Sequence, residues 1–245
     1  MKKNVGVSIS THSNNDTDSK RYDIIEQCFQ SLVDINPDNV SINIVSDGIT
    51  DRHEKLINKF PFHHIKRKVN GGISKAKNSG IDYILKQGND FGFLVDDDVI
   101  FKDKEVFNSY VSTMIKTGLP HYSLFLQDDG KNCTIKTING CDIKQTPWVN
   151  GCFLTFTRSL IKEIGYFKIL SYKYGHEHSN FTRRVVHHKK IPYYCDLIGS
   201  TNLVTINDLS LSLNSLGEDK VDQILFNKNY TESMTNLQEN SKLII

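Results

Sequence analysis

Apolar and polar residues alternate regularly through the first hundred residues. Four strand-like apolar runs are found, at 5–10, 41–46, 64–69 and 91–95. Between them, apolar residues recur at three- and four-residue spacing, which predicts helices over 21–33, 53–60 and 75–86. Strands that alternate with helices indicate an α/β fold, with a mostly parallel central sheet and helices on both faces.

The second half of the chain is less regular. Helices are predicted over 104–116, 159–164 and 180–188, and strands over 122–127, 133–137 and 152–156. From Ile206 onward the chain is polar and low in aromatic residues, which predicts one or two peripheral helices. We therefore expect a single domain with a C-terminal helical extension over 206–245.

Composition narrows the classes of function. The 245 residues are 38% hydrophobic, and 30 Lys and Arg stand against 28 Asp and Glu, so neither disorder nor a nucleic-acid partner is indicated. The five cysteines form no CxxC pair and are expected to be reduced thiols. No segment approaches the roughly 18 apolar residues of a membrane span. With no signal-peptide pattern at Met1, we expect a cytoplasmic protein with at most peripheral membrane contact.

Three consecutive aspartates, Asp96, Asp97 and Asp98, follow the apolar run at 91–95. Like charges packed at a strand end raise one another's pKa, and a cation or a buried base usually neutralises them. Carboxylate oxygens favour Mg²⁺ or Mn²⁺ over zinc. Because such ions bind through one or two carboxylates plus substrate phosphates, a nucleoside diphosphate is the natural partner. The alternative is a solvated acidic turn.

Other candidate ligand-binding residues follow the earlier strands. Thr11 lies in the loop after the first strand, and Asp47 follows the second. An ionised Asp47 can accept a hydrogen bond from a base imide or a ribose hydroxyl, although Asp-Gly is also a common turn. The Asn-Gly-Gly segment at 70–72 allows close backbone approach, and the helix start after it offers N–H groups to a phosphate, with Lys75 adding charge. The alternative is a loop that needs positive φ.

The order of these motifs resembles the GT-A nucleotide-sugar glycosyltransferases and is most similar to their large family 2. The matching motifs are Val-Ser-Asp-Gly at 45–48, Asn-Gly-Gly at 70–72, Ala-Lys-Asn at 76–78, Asp-Asp-Asp at 96–98, Asn-Gly at 150–151 and Gly-His-Glu-His at 175–178. Each motif is weak alone, but the ordered set extends from residue 5 to about residue 190.

The resemblance implies a GT-A domain over 1–205, with a nucleotide-binding half over 1–101 and an acceptor-binding half over 102–205. It implies a metal-dependent, inverting transferase that uses Mn²⁺ or Mg²⁺. The expected reaction moves a sugar from a UDP-sugar to a hydroxyl of a glycan or glycolipid, in surface polysaccharide biosynthesis. A homo-oligomer is left open.

The resemblance also implies roles for individual residues. Asp96 and Asp98 match the DxD motif that binds the metal and the diphosphate. Asp97 is the middle residue of this motif and is expected among the donor-binding residues. The other donor-side residues are expected to be Thr11, Asp47, Gly72, Lys75, Asn78, Asn150 and Gly151. On the acceptor side we expect Arg184 and Trp148, whose ring either stacks on a sugar face or packs in the fold.

The general base is where the chain departs from the family pattern, because Glu177 is followed by His178 where an aspartate is usual. We expect Glu177 to be the base. His178, with a reference pKa of about 6.5, is the alternative base. A third option makes His176 or His178 a ligand of the metal. The structural alternative is a polar helix start with Glu177 near its N-terminus.

Two competing functions follow from these observations. A non-catalytic nucleotide-sugar or carbohydrate-binding relative is allowed by the departure at His178. A nucleotidyltransferase that makes nucleotide sugars ranks low, because the loop after the first strand lacks a glycine-rich segment with a basic residue.

Overall fold

The structure is a computed structural model that describes residues 4–13, 19–127, 130–171, 173–207 and 227–234. In this part of the chain there are ten strands and eight helices. The strands are β1 (Val5–Thr11), β2 (Val40–Asp47), β3 (His63–Arg67), β4 (Phe91–Asp96), β5 (Val99–Phe101), β6 (Thr134–Ile138), β7 (Cys141–Gln145), β8 (Phe153–Thr157), β9 (Cys195–Leu197) and β10 (Val204–Ile206). The helices are α1 (Ser19–Ile35), α2 (Asp51–Ile57), α3 (Ile73–Lys86), α4 (Val106–Thr117), α5 (Arg158–Ile164), α6 (Glu177–His187), α7 (Ser200–Leu203) and α8 (227–234).

A five-stranded sheet in the order β3-β2-β1-β4-β8 forms the centre of the molecule. The first four strands are parallel, and β8 runs antiparallel to β4. All seven residues of β1 are buried, as expected for a central strand covered on both faces. The predicted fold class, α/β with a mostly parallel central sheet, is confirmed.

The strand order fixes where a ligand can bind. The chain moves from β1 to β2 to β3 in one direction across the sheet and then crosses back to β4 on the other side of β1. Right-handed crossovers therefore place α1 and α2 on one face and α3 on the opposite face. The two directions separate between β1 and β4, and open α/β sheets bind ligands in the crevice at the carboxyl ends of such strands.

Helix α3 packs very closely on this sheet. A Cβ atom added at Gly80 would lie 2.1 Å from Ser8 Oγ, and one added at Gly6 would lie 2.8 Å from Ile84 Cγ1. Glycine on each side of the contact therefore lets the helix backbone approach β1. This close approach carries the first turn of α3 to the crevice.

Two smaller sheets complete the second half of the chain, in the orders β6-β7-β9 and β10-β5. The segment 122–127 was predicted as a strand, but it makes only an isolated bridge between Ser123 and Leu154 within the described residues. Strands β6 and β7 form a hairpin whose turn residues, Asn139 and Gly140, both have positive φ. The predicted boundary between residues 205 and 206 falls inside β10.

The predicted C-terminal extension is described only over 227–234, which forms α8; the rest of 208–245 lies outside the described residues. No helix in the described ranges has the length and apolar character needed to cross a bilayer.

Candidate active site

A cavity of about 250 Å³ opens at the carboxyl ends of the parallel strands. It brings together six of the residues that the sequence singles out. These are Thr11 from β1, Asp47 from β2, Asp96, Asp97 and Asp98 from the end of β4 and the turn after it, and Glu177 from the start of α6. Residues that are up to 166 positions apart in the chain therefore line one cavity. The sequence prediction of a single site at this sheet edge agrees with their placement.

The three aspartates have different partners. Asp97 is almost fully buried and pairs with the buried guanidinium of Arg21, which extends from α1. Asp96 Oδ1 lies 2.9 Å from Lys77 Nζ. Burial raises the pKa of Asp96, and the charge of Lys77 opposes that rise. Two cations thus stand beside the acidic triplet, as the repulsion among its charges requires.

Lys77 is a site residue that the sequence analysis missed. Its side chain is 1% exposed, and Nζ also donates to the carbonyl oxygen of Gly151 at 2.5 Å. Lys75, which the sequence favoured, is exposed and does not line the cavity. Helical spacing was the signal available, because Lys77 shares one face of α3 with Gly80, Ile81 and Ile84, all of which are buried.

The acidic triplet fits a hard divalent cation only in part. Among the described residues, no group of three or more His, Cys, Asp or Glu side chains is placed to hold a metal ion. However, Asp97 Oδ2 is buried and has no hydrogen-bond partner in the part of the chain that the structure describes, and all three aspartates line the cavity. Carboxylate oxygens from one or two residues, completed by diphosphate oxygens and water, are what Mg²⁺-type ions take. The donor set therefore fits Mn²⁺ or Mg²⁺ bound together with a nucleotide.

His178 does not join this donor set. Its Nδ1 lies 3.2 Å from Glu177 Oε1, and a Cβ atom added at Gly151 would lie 2.6 Å from the same nitrogen. The ring is therefore packed between the backbone of Gly151 and the carboxylate of Glu177. The prediction of His178 as a metal ligand is corrected accordingly.

Glu177 is the first residue of α6 and is 8% exposed. Burial acts to raise its pKa, but the hydrogen bond and charge of His178, with a further contribution from Lys77, outweigh it and hold the pKa below the usual value. Its Oε2 atom is buried and has no hydrogen-bond partner among the described residues. A carboxylate that borders the cavity, with one oxygen that has no partner among the described residues, is equipped to accept a proton when ionised.

Asp47 organises the loop before α3. Its carboxylate accepts hydrogen bonds from the backbone N–H groups of Gly71 and Gly72, at 3.0 and 2.7 Å, and from Arg67 Nε at 2.7 Å. The N–H groups of Gly71 and Gly72, directly before the helix start, are thus engaged by a side chain. Asp47 still borders the cavity, and its contact with a nucleoside stays a prediction.

Gly72 is required at the start of α3 for two reasons. Its φ is 92°, and a Cβ atom there would lie 2.7 Å from the carbonyl oxygen of Lys173. Only glycine combines this backbone angle with such a close approach. The residue brings the loop before α6 against the first turn of α3.

Thr11 is held at the cavity by a buried histidine. Its Oγ1 lies 3.0 Å from His53 Nε2. Burial lowers the pKa of His53 to about 4, so this imidazole is neutral near pH 7. The position of Thr11 is therefore fixed by a neutral contact.

Two predicted site residues serve the fold instead. Asn78 donates to the carbonyl oxygen of Phe167 at 3.0 Å and accepts from its N–H at 2.9 Å. Arg184 is 2% exposed, and its Nη1 and Nη2 donate to the carbonyl oxygens of Ile164 and Tyr166, each at 2.5 Å. Both side chains form hydrogen bonds with the backbone at the end of α5 and in the segment after it. The predicted contacts of Asn78 with nucleotide and of Arg184 with acceptor are therefore corrected.

The remaining predicted residues, Asn150, Gly151 and Trp148, are not among the residues that line the cavity. The carbonyl oxygen of Asn150 accepts a hydrogen bond from Ser123 Oγ at 2.8 Å, and that of Gly151 accepts from Lys77. Trp148 is 47% exposed, and its ring packs edge-on against Phe125 with the centroids 5.2 Å apart. Much of its surface is thus open to solvent, and its contact with an acceptor stays a prediction.

Comparison with known proteins gives the family. The family model described as "Glycosyl transferase family 2" matches residues 18–120. An uncharacterized glycosyltransferase of Acanthamoeba polyphaga mimivirus is 36% identical over 224 residues, which cover 88% of this chain and 86% of the relative.

Solved structures share the fold at low sequence identity. The mannosyltransferase PcManGT from Pyrobaculum calidifontis, in complex with GDP-Man and Mn²⁺, is 12% identical with a TM-score of 0.60, over 83% of this chain and 56% of that one. S. aureus TarS 1–349 in complex with UDP-GlcNAc is 16% identical with a TM-score of 0.55, over 80% and 56%. The chain thus spans little more than half of each of these structures. With the family match and the mimivirus relative, they lead to one conclusion: the chain belongs to glycosyltransferase family 2 and has the GT-A fold.

Proposed function

We propose that this glycosyltransferase is a metal-dependent, inverting enzyme that moves a sugar from a UDP-sugar to a hydroxyl of a glycan or glycolipid. One observation carries the proposal. The acidic triplet at 96–98 and the buried carboxylate of Glu177 line one cavity, at the sheet edge where α/β proteins bind nucleotides, and the buried Lys77 pairs with Asp96 there. We assign the reaction to surface polysaccharide biosynthesis on the cytoplasmic side.

A nucleotide-sugar donor suits the residues that line the cavity. Thr11 and Asp47 border one part of it and the aspartates another, which matches a ligand with a nucleoside and a diphosphate. The two solved relatives named above were crystallised with GDP-Man and with UDP-GlcNAc, which are both nucleotide sugars.

The metal would be held by Asp98 and Asp96. When bound, Mn²⁺ or Mg²⁺ supplies positive charge that stabilises the departing nucleoside diphosphate. Lys77 provides a second, fixed positive charge 2.9 Å from Asp96. Because the ammonium group is buried and already in position, it stabilises developing negative charge without reorganising.

Glu177 takes the role of general base in this proposal. A glutamate carboxylate is ionised at neutral pH, so Glu177 can accept the proton of the acceptor hydroxyl as that oxygen attacks the donor sugar. His178 contacts Oε1 and leaves Oε2 for the proton. His178 is thereby assigned to orient the base.

The acceptor is expected to bind on the side of Trp148. Its exposed indole ring offers an apolar face with an N–H group at one edge, which suits the face of a sugar ring. A glycan or glycolipid acceptor presents such a face next to its reacting hydroxyl.

The proposal is tested by measuring UDP release from a panel of UDP-sugars, with Mn²⁺ and then with excess chelator. We expect slow metal-dependent release without acceptor, lost on chelation. Glu177→Gln should lower turnover by about 10²- to 10⁴-fold, the usual contribution of a general base. Asp98→Asn should lower it as well, whereas Asp23→Asn, at an exposed position on α1, should not. If UDP-sugars bind but none is ever turned over, the chain is a binding protein and the proposal is wrong.

A further inference from the structure

The loop before α6 forms one wall of the cavity. Tyr174 and Gly175 line it, and they precede Glu177 in the chain by three and two positions. Two successive residues in this loop have positive φ, 92° at Gly175 and 65° at His176. His176 is left-handed without being glycine, a conformation that persists only where the surroundings hold it.

Helix α8 supplies much of that support. Asn229 Nδ2 donates to the carbonyl oxygens of both Tyr174 and Gly175, at 3.0 and 3.1 Å. The Asn229 side chain is fully buried. A carboxylate oxygen of Glu232, Oε2, accepts a hydrogen bond from the N–H of Ser171 at 3.0 Å. The helix therefore binds the backbone of this loop at several points.

The same helix also contacts α6. Asn180 Nδ2 donates to the carbonyl oxygen of Ser233 at 3.3 Å. The Tyr230 ring lies 5.2 Å from the His176 ring and 5.5 Å from the guanidinium carbon of Arg183. Residue 176, which sets the direction of the chain into Glu177, is thus packed against α8.

The opposite side of the loop is fixed by the first half of the chain. Asn70 Nδ2 donates to Tyr174 Oη at 2.8 Å, and the N–H of Ile73 donates to the carbonyl oxygen of Lys173 at 3.2 Å. The loop is therefore held between the first turn of α3 and helix α8.

We propose that Asn229 is a positioning residue of the active site. By binding two successive carbonyl groups, it fixes the Tyr174 and Gly175 wall of the cavity and the start of α6, where Glu177 lies. Asn229 does not line the cavity and acts only through this loop. The catalytic consequence of this inference rests on the proposed function. The inference also means that α8, in the segment after residue 206, helps to position the active site.

The test replaces the donor group and keeps the size of the side chain. In Asn229→Asp the two amide N–H donors are lost: an ionised carboxylate only accepts, and a protonated one can donate to only one of the two carbonyl oxygens. We expect the Kd of UDP with Mn²⁺ to rise about tenfold, roughly the factor that one neutral hydrogen bond contributes. Backbone amides over 173–177 should exchange with deuterium faster. Tyr230→Ala, at a half-exposed position, should shift both measurements in the same direction and by less.

Lys228→Ala, at an exposed position on the same helix, is the matched control and should leave both measurements unchanged. A purely structural role for Asn229 would lower the melting temperature but leave the Kd of the folded fraction unchanged. The proposal is overturned if folded Asn229→Asp, or Tyr230→Ala where the first variant does not fold, keeps wild-type Kd and exchange. If wild-type protein does not bind UDP, the proposed function fails, while the exchange rates over 173–177 still decide whether α8 holds the loop.

Discussion

Lys77 shows why a sequence motif does not identify the residue that enters a site. Lys75 and Lys77 lie two positions apart on α3, so they point to different sides of the helix. The apolar spacing of the helix places position 77 on the buried face, where Nζ meets Asp96 and the carbonyl of Gly151. The sequence motif predicted that Lys75 lies near the nucleotide. Which of the two lysines enters the site depends on how α3 packs, and the motif alone does not show this.

Lys77→Met should strongly reduce turnover, because it removes the fixed charge beside Asp96. We expect a loss of about 10²- to 10³-fold, comparable to the loss of one preorganised electrostatic contact. The rate of UDP release from the preferred donor measures it. Lys75→Met changes the same residue type at an exposed position and should be close to wild type. Equal effects of the two substitutions would show that Lys77 has no special role.

His121 makes the stability of the fold depend on pH. Burial lowers its pKa to about 4, while Nδ1 and Nε2 contact Thr155 and Thr182. The unfolded chain, with a histidine pKa of about 6.5, therefore binds the proton first as pH falls. The contribution of the neutral His121 ring to the free energy of unfolding is fully present above pH 6.5 and is lost as the pH falls toward 4. Between pH 7 and pH 5, this loss lowers the free energy of unfolding by about 2 kcal/mol.

His121→Gln removes this titrating group. The variant should therefore lose about 2 kcal/mol less of its free energy of unfolding between pH 7 and pH 5 than the wild-type protein does. Urea unfolding of both proteins at pH 7 and pH 5 is the measurement. The comparison uses the difference between the two pH values, so a uniform loss of stability in the variant does not affect it. An unchanged pH dependence would mean that His121 is not buried as a neutral ring.

Among the elements, those with long, regular patterns were predictable. Helices α1 and α3 follow from their apolar spacing, and β1 and β4 from their continuous apolar runs. Strand β6 was predicted at 133–137, but its hairpin partner β7 was missed, although Asn139-Gly140 is a strong hairpin signal and both residues have positive φ. Strands β9 and β10 have three residues each and pair with distant segments, so no local pattern could reveal them.

The start of α3 should be far less tolerant of substitution than its end. Gly72 and Gly88 both have positive φ, but a Cβ atom at Gly72 meets the Lys173 backbone at 2.7 Å, whereas one at Gly88 meets nothing within 4 Å. Gly88→Ala should cost about 1 kcal/mol for the backbone angle alone. Gly72→Ala should cost about 1 to 3 kcal/mol more, because the loop before α6 must also shift. Equal losses in urea unfolding would show that this contact is not tight.

For the molecule as a whole, the ordered motifs predicted where the candidate site lies, but not the residues that hold its side chains and loops in place. Asp96, Asp98 and Glu177 were predictable as members of one candidate site, because each belongs to one of the ordered motifs that resemble the family. Arg21 and Asn229 were not, since their partners lie 76 residues away at Asp97 and more than 50 residues away in the loop before α6. Their roles arise from tertiary contacts between surfaces that no local sequence pattern describes.

The central claim is that the cavity binds a nucleoside diphosphate through a metal held by the acidic triplet. Calorimetric titration of UDP, with and without Mn²⁺, tests it most directly, with GDP as a second nucleotide. We predict that UDP binds at least tenfold more tightly with Mn²⁺, a difference of about 1.4 kcal/mol. Asp98→Asn should lose this difference and Glu177→Gln should keep it. UDP binding that is equally tight without metal, or unchanged in Asp98→Asn, would contradict the account.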